Sequence, residues 1–353
     1  MTITQAQTGA IADRLQQIGG YIPVARQNKD GTQELATNEQ GFVLLTNGRT
    51  KSDGSPVVVA NSLLRKDEWE QLDDAVLTAA TGEFNAIPRL NGDSQLRKQL
   101  NSMGVLVAQY NQGSQMSRAA VSLSGRAAPD FDRQDYNLTG VPIPVIHKEF
   151  QIGIRELEAS RMYGSGIDTT NAFEAGRVVA EEGERLFVSG NTNIALNQNI
   201  LYGVTNEPNI NTGTATGDFG TITNVVSTFR NMIIALAGDN YFGPYEFWVA
   251  RTQYNEMALN FYTDGTGDSA LTRVLKMPNI TAVHPSDWMT TGTLVGIQMT
   301  PNVIDFCVYQ LNQVVEWTTP DGMAQNFKVM SIGAVRVKSD YSGQSGVCYY
   351  TGA

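Results

Sequence analysis

Along residues 167–190, IDTTNAFEAGRVVAEEGERLFVSG, apolar and charged positions recur with a helical period. Glu174, Arg177, Glu181, Glu184 and Arg185 fall on one charged face, while Ala172, Gly176, Val179, Gly183 and Leu186 line another. Asp168 to Asn171 offers side chains that cap a helix start, Asn171 to Glu174 has capping-box spacing, and Gly190 is a stop signal. The pattern predicts one long amphipathic helix over 168–189, roughly 30 Å at about 1.5 Å per residue. Its buried stripe is small-sided, so sheet or backbone is expected close against it. Gly176 and Gly183 each cost about 1 kcal/mol relative to alanine inside a helix, which implies that packing requires them.

The remaining pattern divides the chain. Residues 1–62 are rich in Gln, Asn, Gly and Thr and read as an arm, with a short helix over Ile11–Ile18 and extended pieces at Gly41–Leu45 and Pro56–Ala60. So little apolar content makes no core of its own, and the arm either stays loose or lies across something else. From Leu63 a helix ends at Gly82, with Trp69, Leu72, Val76 and Ala79 on one face. Pro88 and Asn91-Gly92 read as breaks, Ser94–Met103 as a brief polar helix and Gly104–Tyr110 as a strand. Residues 112–141 read as a projecting β-ribbon with arms at Ala119–Ser124 and Tyr136–Val145. An isolated ribbon is marginal in water, so its natural support is a neighbouring subunit. His147–Ile154 alternates as a strand, followed by a helix over Arg155–Tyr163. The last third has α/β character. Ile222–Ala237 is a helix burying Ile222, Val226, Phe229, Ile233 and Leu236, and Tyr245–Ala250 is a strand. A helix spans Thr252–Phe261, a glycine-rich turn 263–268 and a short helix the residues up to Leu275. Strands follow near 280–283, 294–299, 304–309, 327–337 and 346–350.

With 353 residues there is room for two or three domains. A formal charge of −10, without clustered Lys and Arg, argues against sequence-specific nucleic-acid binding. No apolar run long enough for a membrane span and no signal peptide is legible, so a soluble, membrane-free product of a cytosol is expected. Cys307 and Cys348 lack metal spacing and read as small buried hydrophobes. Only His147 and His284 offer imidazoles, and both sit where structural histidines are common. The segment 343–346 lacks nucleophile-elbow spacing, no phosphate-binding loop occurs, and Glu181, Glu182 and Glu184 have no histidine partner for a metal pair. No catalytic, metal or cofactor-binding residues are expected, and the chain reads as a non-enzymatic assembly protein. An enzyme with an unrecognised site would instead show a pocket converging on His147 or His284.

Four stretches, in this order, resemble the Hong Kong 97-type capsid fold of tailed-phage major capsid proteins, closest to its encapsulin-like branch. They are 64–73 LRKDEWEQLD, 150–157 FQIGIREL, 180–190 AEEGERLFVSG and Gly243-Pro244-Tyr245. The resemblance spans about Leu63 to Gly346 and implies an α+β fold. Residues 1–62 would be an N-terminal arm and 63–111 the first helix and the start of the peripheral domain. An extended loop would occupy 112–143, and the peripheral domain with spine helix 168–189 would occupy 144–220. Residues 221–320 would form an axial domain and 321–353 the return to the peripheral domain.

The resemblance further implies a virion subunit, made in host cytoplasm, that self-assembles as pentamers and hexamers into an icosahedral shell around double-stranded DNA. An encapsulin-type shell around an enzyme cargo is the alternative. Neighbours would be contacted by Arg118, Arg126, Asp130, Asp132 and Arg133 of the extended loop. Thr263, Asp264, Thr266 and Asp268 would meet their copies at the axial tip. The extended loop has no lysine between Asn111 and His147, so covalent cross-linking from it is not expected. Burial, arm overlap or a cement protein would strengthen the shell, and a scaffolding protein could assist assembly. No large cleaved scaffolding segment is expected at the N-terminus. Acidic residues facing inward would let packaged DNA slide.

Overall fold

The computed structural model describes residues 22–27, 33–40, 42–50, 56–81, 84–114, 116–119, 121, 123, 133–163, 169–262 and 267–353. The helix expected over 11–18 lies outside them. In chain order, β1 (Ile22–Pro23), β2 (Ala25–Gln27), β3 (Gln33–Leu35), β4 (Phe42–Thr50) and β5 (Pro56–Arg65) lead into α1 (Lys66–Thr81) and α2 (Ala86–Gly92). Next come β6 (Arg97–Gln99), β7 (Val107–Gly113), β8 (Tyr136–Pro142), β9 (Val145–Gly153), α3 (Ile154–Tyr163) and α4 (Thr170–Ser189). The chain continues through β10 (Gly190–Leu196), β11 (Asn199–Tyr202), β12 (Asn211–Thr214), α5 (Ile222–Gly238), β13 (Tyr245–Ala250), α6 (Arg251–Leu259) and α7 (Ala270–Leu275). It closes with β14 (Ile280–Ser286), β15 (Thr293–Gln298), β16 (Ile304–Thr318), β17 (Ala324–Val337) and β18 (Val347–Thr351).

Two sheets organise these elements. The first, in order β6-β16-β17-β9, is built on the long antiparallel β16–β17 hairpin and carries α4 across one face. α1 crosses α4, and their shared core holds Trp69, Leu72, Val76, Ala172, Ala175, Val179, Phe327 and Val329. The β4–β5 hairpin contributes Val43 and Leu64 to that core, so the second half of the expected arm is fixed against the body, and β5 runs directly into α1. The start of α1 is secured by Glu68, whose Oε2 accepts the Arg65 N–H at 2.8 Å, the returning half of a capping box. Arg161 of α3 donates twice to the same carboxylate, at 2.8 and 2.7 Å.

The second sheet, β12-β18-β15-β13-β14, mixes parallel and antiparallel pairs. Its inner strand β13, between β15 and β14, is buried at every position, because successive side chains point into different cores. Tyr245, Phe247 and Val249 join Phe229, Met232 and Leu236 of α5. Trp248 and Ala250 join Phe187 and Val188 of α4 and Phe306, Val335 and Val337 of the other sheet. That second core welds the two sheets through the end of the long helix.

Several expectations are corrected. α4 begins at Thr170 with Thr169 as N-cap and no side-chain cap bond, so Asn171 and Glu174 form no capping box; Gly190, at φ 60°, does end the helix. Pro88 does not break the chain: it lies in the first turn of α2, where a missing N–H costs nothing. Instead of a helix over Ser94–Met103 there is the short strand β6. The partner of Tyr136–Pro142 is Val107–Gly113, and the described residues of Ala119–Ser124 are not strand. α5 buries Val225, Thr228, Phe229, Met232 and Leu236, a face turned by about one residue. The expected break at 320 does not coincide with the sheets. β16, grouped by sequence with 221–320, pairs with β17 beside α4, whereas β18, grouped with the return segment, joins the second sheet beside β15.

The two helix glycines differ. A Cβ on Gly176 would stand 2.9 Å from the carbonyl oxygen of Val76 and 3.1 Å from its Cα, so the α1 and α4 backbones nearly touch there. A Cβ on Gly183 would meet only Ile87 Cγ1, at 3.8 Å. Gly176→Ala is therefore expected to destabilise the fold by about 1–3 kcal/mol through overpacking. Gly183→Ala is expected to stabilise it by about 0.5–1 kcal/mol through helix propensity. Urea denaturation of both variants checks the pair, and a destabilised Gly183→Ala would contradict this packing.

Candidate functional site

The β7–β8 ribbon lies against the body by one face, with Ala108 and Val141 in a core shared with β16 and β17. Its strands pair from Val107↔Pro142 to Gly113↔Tyr136, seven residues on each side, a reach of roughly 23 Å at about 3.3 Å per residue. One face looks inward: Gln112 Nε2 donates to Ser339 Oγ at 2.7 Å, and Gln112 Oε1 accepts from Asn137 and Thr139, each at 3.2 Å. The other face exposes Tyr136 and Leu138, and Leu106 and Met116 are exposed at either end. Leu123, beyond the paired strands, is fully exposed.

The middle of the ribbon is fixed by a buried ion cluster. Arg336 of β17 is 2% exposed; its Nε donates to Asp305 Oδ1 at 2.9 Å, its Nη1 donates to the Gln109 carbonyl at 2.7 Å, and its guanidinium lies 5.3 Å from the Tyr110 ring. Lys338 Nζ stands 2.7 Å from Asp305 Oδ2. Burial works to raise the pKa of Asp305, but the hydrogen bonds from Arg336 and Lys338 outweigh it and hold the carboxyl below its ordinary value. The sequence reading missed Arg336, although a cation between Val335 and Val337 in an apolar strand is a signal of a buried, paired charge.

The charged residues picked from sequence behave differently from one another. Arg118 and Arg133 are exposed at the far end of the ribbon. Arg126, Asp130 and Asp132 lie outside the described residues, as do Thr263, Asp264 and Thr266. Asp268 is placed: its carboxylate takes Lys276 Nζ at 2.7 Å, its carbonyl accepts the Tyr262 N–H at 3.0 Å, and Ser269 caps α7 by accepting from Thr272 N. On α4, Glu174 and Glu181 both bind Arg177 at 2.7 Å, forming an exposed ladder. Arg185 pairs with Glu182 at 3.6 Å.

Glu184 departs from that face. It is 4% exposed, because α2 packs over the C-terminal half of α4 and widens the buried side there. Its Oε1 accepts the Ile87 N–H at 2.9 Å, serving the open N-terminus of α2. Burial raises its pKa to about 7, opposed by the N–H groups of Ile87 and Ala86 and by His284. Close by, Glu246 of β13 binds Arg89 of α2 at 2.7 Å and His284 Nε2 at 3.1 Å, and Asn85 Nδ2 donates to the Pro285 carbonyl at 3.1 Å. α2 is thus pinned to both α4 and the second sheet.

Reactive chemistry does not gather. His147 is exposed on β9 and His284 serves Glu246, and neither lines the apolar cavity beside α4. Cys307 and Cys348 are buried, with thiols pushed up to about 12 by desolvation. Among the described residues no group of three or more His, Cys, Asp or Glu is placed to hold a metal, and no helix is long and apolar enough to cross a membrane.

Two outcomes follow from this geometry. The protonated form of Glu184 suits the fold better than the ionised form. That advantage is full below the unfolded value near 4.5 and is lost as pH rises through about 7. Urea stability is expected to fall across that window by roughly 2–4 kcal/mol on account of this group, at about 1.36 kcal/mol per pKa unit. Glu184→Gln should flatten the slope, and equal slopes would contradict the assignment. Arg336→Met leaves Asp305 to Lys338 and the Gln109 carbonyl without its donor, and is expected to cost about 1–3 kcal/mol. Hydrogen exchange of the β7 amides should rise more than that of β13.

The sequence of the family of unknown function DUF6260 matches residues 59–350. No curated protein matches the chain. Among solved structures it is similar to a virus-like particle from Pyrococcus furiosus, at 16% identity over 80% of this chain and 98% of that one, TM-score 0.56. It is also similar to the capsid of Myoviridae phage XM1, at 12% identity over 77% and 94%, TM-score 0.59. A third similarity is to the capsid of an empty GTA particle, at 14% identity over 77% and 92%, TM-score 0.53. At these identities the likeness is one of fold, and the fold is the α+β Hong Kong 97-type capsid fold that the sequence resemblance implied.

Proposed function

The chain belongs to DUF6260, and we propose that it is a major capsid protein, the structural subunit of an icosahedral shell around the double-stranded DNA of a tailed phage. The observation that carries this reading is an anchored ribbon whose outer face exposes Tyr136 and Leu138 beside Gln109 and Asn111. Tyr136 and Leu138 are 66% and 58% exposed on an element held at its middle by a buried charge cluster. A rigid arm presenting apolar side chains to water is costly for a lone subunit and useful when a second copy covers it. The capsid fold supports the same conclusion.

In this reading the subunit is not an enzyme, and its partners are its own copies in pentamers and hexamers, with a cement or scaffolding protein as possible additions. Residues 112–143 overlap a neighbour, with Arg118, Arg126, Asp130, Asp132 and Arg133 in contact. Thr263, Asp264, Thr266 and Asp268 meet their copies at the five- and six-fold axes. The peripheral domain comprises α1–α4 with the first sheet, and the axial domain comprises α5–α7 with the second.

Negative-stain microscopy and sedimentation of the chain produced alone, and with its neighbouring genes, test the reading. Closed shells, or rings of five and six, are expected. Tyr136→Ser with Leu138→Ser should leave circular dichroism native while the protein sediments as a free subunit. A monomer under every condition overturns the proposal. Small protein-filled shells lacking DNA would assign the chain to a nanocompartment instead.

A further inference from the structure

The first sheet ends in β9, which is nine residues long and pairs with β17 in unbroken register from Gly153↔Ala324 to Val145↔Ile332. The bond from Ile154 N to the Met323 carbonyl fixes the alternation along this pair. Ile152, Phe150, Lys148 and Ile146 bond to β17, and the N–H and C=O groups of Gln151, Glu149, His147 and Val145 point away from it. Those outward groups meet no further strand among the described residues. Native sheet edges are blunted by shortness, proline, bulges or charge. β6 and β12 have three and four residues, and β14 contains Pro285. β9 is long, has neither proline nor bulge, and of its charges Glu149 is taken by Lys328 at 2.6 Å.

The chain also holds a segment patterned as a strand that pairs with nothing. Ala119–Ser124 alternates between apolar and polar residues, yet Val121 is 97% exposed, Leu123 is fully exposed, and neither lies in a strand. Residues 112–129 carry Arg118 and Arg126 and no acidic side chain, in a chain of net charge −10, so this segment is attracted to the rest of a second copy. It follows the Gly113↔Tyr136 end of the ribbon, whereas β9 starts just after the Val107↔Pro142 end, so the ribbon's length separates the two within one subunit.

We propose that the β9 edge is the docking site for residues 116–124 of a second copy of this chain, which join the sheet as a fifth strand through main-chain bonds to Val145, His147, Glu149 and Gln151. Val121 and Leu123 then lie beside Ile146 and Phe150, which are half-buried at the margin of the core under α4. The inference rests on the assembly reading, for which it names the surface that receives the far end of the ribbon, but the pairing is measurable without a shell.

Amide hydrogen exchange of the full-length chain, assembled and as the free subunit bearing Tyr136→Ser and Leu138→Ser, tests the pairing. In the assembly the amides of His147, Glu149 and Gln151 should slow at least about tenfold, while those of Lys148 and Phe150, already bonded to β17, change little. A synthetic peptide of residues 115–125, in excess over the free subunit, should slow the same three amides, and the peptide with Val121→Ser and Leu123→Ser should not. Gln151→Pro gives up no bond to β17 and should abolish the peptide's effect. Should that variant fail to fold, Val121→Asp with Leu123→Asp, at exposed positions, carries the test in the assembly and should return the three amides to their free rates. Protection by the peptide where no shell ever forms would support the pairing and overturn the capsid reading. Unchanged exchange of the three amides in both experiments overturns the pairing, and shells that nonetheless form leave the capsid reading standing. Protection that persists with both aspartates, or in a dilute monomer, also overturns it, the latter by placing the segment on its own subunit's strand.

Discussion

A buried guanidinium cannot be left without counter-charge, and the requirements of Arg336 tie together parts of the chain far apart in sequence. Asp305 on β16 neutralises it, the Gln109 carbonyl on β7 takes another of its donors, and the Tyr110 ring packs beside it. Replacing such a pair with apolar residues is often harmless, but removing one partner costs several kcal/mol, so the members depend on one another. The consequence is geometric. The long hairpin and the ribbon become one rigid piece, and a two-stranded ribbon that would be marginal alone has a defined direction.

The long helix α4 serves as the second joint. Its N-terminal half touches α1 so closely that only a glycine fits at 176, while its C-terminal half ends in the apolar core shared by both sheets. Between these lies α2, a short helix that would not persist alone. Glu184 satisfies its N-terminus, and Arg89 reaches across to Glu246, which also holds His284. A carboxylate from each sheet's neighbourhood thus grips the same small helix. Movement of one sheet relative to the other would have to break the buried Glu184 hydrogen bond or the charge-assisted bond between Arg89 and Glu246.

What the sequence disclosed follows from the range of the forces involved. The long helix, α1 and β13 were legible because their periodicity is local, and the apolar face of α1 was assigned residue by residue. The partition of the strands was not: Ile304–Tyr309 looks alike in either sheet, and only long-range pairing with β17 decides it. Glu184 was misplaced for a related reason, since a helical wheel cannot foresee a second helix covering one end of the charged face. The ribbon was expected in about the right place with one wrong arm, because 119–124 and 107–113 both read as extended and only the register across Gly113↔Tyr136 distinguishes them. Tyr136 and Leu138 carried their signal in plain alternation, but a choice guided by charge passed over them in favour of arginines and aspartates.

The contrast between apolar and charged contacts bears on how a shell of such subunits would cohere. Exposed ion pairs such as Glu174–Arg177–Glu181 are satisfied within one helix and gain little from a partner. Burying an exposed Leu or Tyr, by contrast, yields on the order of 1.5–3 kcal/mol per side chain, from solvent alone and with no change in the partner's charge. Each ribbon contact can be weak, because every subunit of a closed shell makes and receives the same contact and the second engagement is intramolecular. Weak contacts let misplaced subunits leave, and closure supplies the stability that no single contact has. In such a shell the net charge of −10 would oppose association until the apolar side chains met in register, favouring ordered growth over random clustering. No reactive side chain is required for any of this; in the proposed shell the subunit would act through the surfaces that remain unsatisfied until a copy arrives.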